Sequence, residues 1–253
     1  MKNIRLLITL IFVGSNLYAQ EQGTITYEEK VKMKFQTEDQ ADMGDLSEHF
    51  PNELRFYKTL YFDQENSIYI TDNTKKQDAR RVEVNQESEG PMMVMKIDEP
   101  EEQVYCDIKN NIMIEKRDLM GRTFLIESKM DRLEWKLTNN QKVILGYPCQ
   151  EAILKDSLID LRVWFSPAIP VSTGPNGYSN LPGMILECER DGGKSVITAI
   201  GISLAPVDKS VFQKPGGGKK ISKEDFVKIS EEKRKEMQEE NGGDGNIIIK
   251  IRN

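Results

Sequence analysis

His49 is the single histidine of this sequence, and Cys106, Cys149 and Cys188 are its three thiols. A Ser-His-Asp site, or a Cys-His pair built on Cys149, would have to recruit that one imidazole. It lies in an acidic, polar stretch and reads more simply as a solvated loop residue. Zinc asks for Cys and His ligands at short spacings, and none of these residues has such a partner nearby in the chain. Met92-Met93-Val94-Met95 could suit copper(I). Strand alternation, however, puts Met93 and Met95 on one face and Met92 and Val94 on the other, which is ordinary packing. A metal-handling role would need Cys149 and a methionine to meet. Gly193-Lys194-Ser195 resembles the end of a phosphate loop, but the first glycine of that motif falls on Cys188. Gly216-Gly217-Gly218-Lys219-Lys220 fails too, since Lys220 is neither Ser nor Thr. Carboxylate pairs remain, and 41 Asp and Glu residues make such pairs easy to find. An envelope hydrolase using paired carboxylates is therefore the enzymatic alternative, while the balance favours a protein that is not an enzyme. No cofactor and no metal are expected.

The densest signal is not chemical. Leu161, Val163 and Phe165 share one face of a strand, and Arg162 and Trp164 share the other. Pro167 and Pro170 stop it, residues 174–178 must turn repeatedly, and Pro182-Gly183 suits a type II turn with Gly183 at positive φ. Trp164, Gly174, Pro175, Tyr178, Leu181, Pro182 and Gly183 then form either a rigid crossover or a rigid apolar lip for a ligand or partner. With no reactive group in the segment, the structural role takes precedence.

The elements that must hold these residues are strands. Gly23 to Phe35 alternates apolar and polar. A hairpin follows from Phe56-Phe62 into Ser67-Ile70. Further strands are expected at Met92-Ile97, Gln103-Lys109, Ile112-Glu115, Arg122-Glu127 and Leu133-Leu137. Asn139-Asn140 then turns the chain into Lys142-Leu154, where Gly146 and Pro148 suggest a bulge. Ile159-Phe165, Gly183-Glu189 and Ser195-Leu204 complete a meander. After a glycine joint at 215–218, Ser222 and Asp225 fit a capping box, and Ile221 and Phe226 a hydrophobic staple, for a helix to about Glu240. Ile247-Ile251 reads as a last strand. The predicted fold is mainly β: a large curved antiparallel sheet, half-barrel or barrel-like, with one C-terminal helix. Residues 20–210 form the β domain, and 211–253 the joint, helix and terminal strand.

Residues 1–19 read as a signal peptide, with Lys2 and Arg5 ahead of an apolar core too short to span a bilayer and Ala19 before a cut at Gln20. The protein is thus expected to be periplasmic or secreted, with no transmembrane segment after cleavage. The net charge of −6 becomes more negative once Lys2 and Arg5 leave, which argues against nucleic acid as a partner. An oxidising compartment favours a disulfide, yet the simple meander places Cys106 about four strands from Cys149 and points Cys188 away from it. Three unpaired thiols are expected.

Trp135-Lys136-Leu137, Ile144 through Ala152, Trp164-Phe165, Ile169-Pro170, Gly174-Pro175 and Asn180-Leu181-Pro182-Gly183-Met184-Ile185 occur in the order of the GLPGLI family, which this chain resembles. Asn180 and Met184 depart from the signature hexapeptide. The resemblance implies an exported protein of Bacteroidetes-type Gram-negative bacteria and supplies no catalytic residue. Together these readings predict a non-enzymatic binding or accessory protein of the cell envelope, cradling an apolar small ligand or docking an outer-membrane protein partner.

Overall fold

The structure, a computed structural model, describes residues 21–32, 52–72, 74, 80–84, 93–97, 101–156 and 159–240. The expected signal peptide, His49, Met92 and the strand at 247–251 lie outside the described residues. The strands are β1 (Gly23–Lys32), β2 (Glu53–Phe62), β3 (Asn66–Thr71), β4 (Arg80–Val84), β5 (Met93–Ile97), β6 (Gln103–Asp107), β7 (Ile112–Leu119), β8 (Arg122–Lys129), β9 (Trp135–Ile144), β10 (Tyr147–Leu154), β11 (Leu161–Ser166), β12 (Met184–Arg190), β13 (Ser195–Ser203) and β14 (Lys219–Ile221), followed by the helix α1 (Lys223–Glu240). Twelve of them form one sheet in the order β14-β8-β7-β6-β3-β2-β1-β13-β12-β11-β10-β9, and β4 and β5 pair apart. The mainly-β fold with one helix near the C-terminus is therefore as expected.

Strand order is not that of a simple meander. The first and last long strands pair, β1 with β13, and β8 and β9 stand ten strand steps apart although only five residues join them. A flat sheet would separate those two strands by about 48 Å, at roughly 4.8 Å per step. Five residues reach no more than about 20 Å. The short connection is possible only because the sheet curls and brings its two edges near each other.

The inner face carries the core. Ile25 and Tyr27 of β1, Leu60 and Phe62 of β2, Val163 and Phe165 of β11 and Ile185 are fully buried there. On the outer face a smaller group, Ile68, Tyr105 and Ile114, packs against Tyr61 and Phe212, so the segment after β13 crosses that side. The chain then enters as β14, the one parallel strand of the large sheet, beside β8. Ser222 caps α1 through its Oγ, which accepts from the Asp225 amide at 3.0 Å, and Phe226 meets Phe124 of β8 edge-on at 5.7 Å between ring centres.

One turn lies elsewhere than expected. Asn139 and Asn140 are inside β9, and the hairpin closes at Leu145-Gly146, both with positive φ (49° and 85°). That is a two-residue turn of the type whose twist suits paired strands. Gly146 accepts its conformation freely, whereas exposed Leu145 does so under strain. Leu145→Asn is accordingly expected to raise stability by about 1 kcal/mol in denaturant titration. The bulge belongs to β10 itself, between Gln150 and Ala152.

Candidate functional site

The segment from Pro167 to Gly183 runs inside the curl. Ile169, Val171, Thr173 and Leu181 are buried, as are Gly174, Pro175 and Gly183. Alternation explains its first half: Ile169, Val171 and Thr173 point inward, and Pro170 outward. Its far end reaches the opposite arm of the sheet, where the Thr173 and Ser67 hydroxyls hydrogen-bond at 2.9 Å. A Cβ on Gly177 would lie 2.9 Å from Met113 Sδ and 3.2 Å from Cys106 Sγ. It also holds the β8–β9 connection: Trp135 Nε1 donates to the Ser179 carbonyl at 2.8 Å, and the Leu133 amide to Asn180 Oδ1 at 3.0 Å. Tyr27 Oη, from β1, donates to the Ile185 carbonyl at 2.7 Å.

Of the residues singled out in the sequence, Gly174, Pro175, Tyr178, Leu181 and Gly183 are thus brought together inside the sheet. Pro182 is exposed, and Trp164 sits on the face of β11 opposite Val163, with Lys142 Nζ 4.3 Å from its ring centre. Gly183 does take positive φ (154°), but the turn is not type II. The Gly183 amide bonds the Leu181 carbonyl at 2.8 Å, closing a γ-turn at Pro182, and the Met184 amide bonds Ile169 instead. The demand of the adjacent 167–173 strand-like run for backbone partners outweighs the local turn.

Polar chemistry collects on the same inner face, beyond the core. Register aligns Tyr27 with Lys58 and Lys58 with Thr71, and the Thr71 amide bonds the Glu102 carbonyl. Lys58, only 3% exposed, pairs with Glu102 at 3.1 Å. Arg117 pairs with Glu102 at 2.6 Å and with Glu115 at 2.9 Å. Burial opposes the ionised Glu102, yet Arg117 and Lys58 outweigh it and hold its carboxyl below the usual range. Glu29 of β1 differs. Burial lifts its carboxyl above the usual range, against the pull of Lys58 and of the Ser195 hydroxyl, which donates to it at 3.3 Å. The charge of Glu29 is also felt by Tyr69, whose buried hydroxyl has no hydrogen-bond partner, and by Tyr178.

On the outer face, Glu151 accepts from Thr138 and Asn140, both at 2.7 Å, and pairs with Arg162 at 3.2 Å. This is a closed set of partners, and it gives Asn140 its place in a strand.

The three cysteines are buried and unpaired. Cys106 on β6 is seven strand steps from Cys149 on β10, rather than four, because the sheet order is permuted. Burial pushes the Cys106 thiol up to about 12, that of Cys149 to about 11, and that of Cys188 higher still. All three are expected to ignore a thiol reagent in the native protein and to react fully in denaturant; one reactive thiol there would mean a disulfide. Cys149 lies opposite Lys142, and it is Cys106 that faces a methionine, Met113. Among the described residues no three His, Cys, Asp or Glu side chains converge as a metal site, and no helix is long and apolar enough to cross a membrane.

The family model described as N-glycanase peptide, N-terminal domain, matches residues 57–235. The chain belongs to this family. The match runs from within β2 to most of α1 and so overturns the GLPGLI resemblance, which rested on short pieces between Trp135 and Ile185. The glycine of the Leu-Pro-Gly piece answers a local demand, the close passage of the Ser166 backbone. Among solved structures the fold is similar to that of PNGF-II in space group P21, with 17% identity and a TM-score of 0.51 over 85% of this chain. The C2 crystal form aligns over 83% of the chain with 16% identity and a TM-score of 0.49. This chain spans about a third of the length of those structures, 34% and 33%. No curated protein matches it.

Proposed function

We propose that the chain is an exported, non-enzymatic glycan-binding module that assists a glycan-acting enzyme at the cell envelope. The observation that carries this reading is the family, named for the N-terminal domain of an N-glycanase. The interior supports binding over turnover. Its thiols are protonated at neutral pH, and Lys58, Glu102, Arg117 and Glu115 neutralise one another. Export rests on residues 1–19. An apolar ligand is disfavoured, because the apolar part of the inner face is occupied by the chain's own 167–183 segment.

Equilibrium dialysis against an N-linked glycopeptide, with a long-chain fatty acid in parallel, tests the proposal. Saturable uptake of the glycopeptide alone is expected. Uptake of the fatty acid alone would return the apolar-ligand reading, and uptake of neither would remove the binding role.

The hydrolase reading retains one supporting observation. Glu29 is held protonated more readily than usual and Glu102 less readily, a separation that acid–base pairs require. It would be favoured by glycan release that Glu29→Gln abolishes.

A further inference from the structure

We propose that polar groups of the inner face, Glu29, Lys58, Tyr69, Arg117, Tyr178 and Arg190, form a binding cleft for a neutral, hydroxyl-rich oligosaccharide; this rests on the glycan reading above. The residues come from both arms of the curl. Glu29, Lys58 and Tyr69 belong to the successive strands β1, β2 and β3, Arg117 to β7, Arg190 to β12, and Tyr178 to the inner segment. Register ties the arms together: Ser195 is the partner of both Val31 and Arg190, and its hydroxyl donates to Glu29 at 3.3 Å. Tyr178, on the inner segment, is half-buried and feels the charges of Arg190, Arg117 and Glu29.

Two features indicate the ligand's chemistry. The first is the Tyr69 hydroxyl. Its side chain is 2% exposed, its ring is held against Tyr27 at 5.9 Å, and its oxygen has no partner. Buried donors are rarely left unpaired in native proteins, and each exception calls for an explanation, of which a group bound at that place is one; among the described residues Ser128 Oγ, on β8, is the other such atom. Glu29 lies within electrostatic reach of it and carries a hydrogen bond of only 3.3 Å from Ser195. A ligand hydroxyl that accepts from Tyr69 and donates to Glu29 would give both groups a partner. The second feature is charge balance. Glu29, Glu102 and Glu115 stand against Lys58, Arg117 and Arg190, so an anion or a cation gains little net attraction. A neutral polyol can use both carboxylate acceptors and cationic donors, with the Tyr178 ring against its C–H face.

Calorimetric titration of an N-linked glycopeptide into the full chain and into Tyr69→Phe and Glu29→Gln tests the assignment, with thermal midpoints of the free proteins measured alongside. Tyr69→Phe is expected to weaken binding at least tenfold while leaving the midpoint unchanged or higher, since it removes an unpaired hydroxyl. Glu29→Gln is expected to weaken binding similarly without lowering the midpoint. Wild-type binding with both variants within twofold of it would overturn the cleft and leave the glycan reading standing. Absence of wild-type binding would overturn both. If Tyr69→Phe lowers the midpoint, Glu29→Gln decides: weakened binding supports the cleft, and unchanged binding refutes it.

Discussion

Gly183→Ala is expected to destabilise the protein by about 3 kcal/mol or more, the sum of a disfavoured backbone conformation and an overpacked contact. At φ 154° the residue occupies a region that side chains rarely adopt. An added Cβ would overlap the Ser166 carbonyl oxygen and lie 2.6 Å from its carbon and 2.9 Å from Pro167 Cα. These are backbone atoms, one at the end of β11 and the other just beyond it, so neither can swing aside as a side chain would. The neighbouring Met184→Leu, also fully buried, changes shape but hardly volume and should cost less than about 1.5 kcal/mol. Denaturant midpoints of the two variants check the contrast; equal midpoints would mean that the inner segment is not anchored at Gly183.

Glu102→Gln is the second large effect. It leaves Lys58 buried without its carboxylate, while Arg117 keeps Glu115. Breaking a buried pair from one side typically costs about 3–5 kcal/mol. The combination with Lys58→Met removes the stranded charge and should recover much of the loss, which a double-mutant cycle measures directly. The pH dependence follows in sign. The folded-state pKa of Glu102 is depressed, so its contribution is present above the usual carboxylate range and is lost as pH falls through the lowered value. Glu29 acts oppositely: its folded-state pKa is raised, so its contribution is complete below the unfolded value and is lost as pH rises through the folded one. In Glu102→Gln only the Glu29 dependence remains of the two, and the acid-side loss should shrink.

Strands were legible because apolar residues alternate along them, and alternation is a property of each strand alone. Their neighbours were not legible. Nothing within Arg122–Lys129 or Trp135–Ile144 says that these strands lie at opposite sides of the sheet; that follows from the pairing of β1 with β13 and from closure around the inner segment. Asn139-Asn140 looked like a turn because Asn is a turn residue, but Asn140 is held in β9 by Glu151. The charged groups of the inner face carried a usable signal. Ile25, Tyr27, Glu29 and Val31 share one parity, as do Leu54, Phe56, Lys58, Leu60 and Phe62, so Glu29 and Lys58 are charges placed on the inward side of apolar strands. Glu102, Arg117 and Tyr69 joined them only through the strand order. The Pro- and Gly-rich stretch announces repeated turns through its composition; that it runs inside the curl required the far-side contacts of Thr173 and Gly177.

The role proposed for the chain is to hold a glycan without cleaving it, and mass spectrometry of an N-linked glycopeptide incubated with the full chain measures that most directly. Intact glycopeptide recovered in complex with the protein, with no released glycan, is the predicted result. Release of free glycan at a rate proportional to protein concentration, and lost in Glu29→Gln, would contradict it.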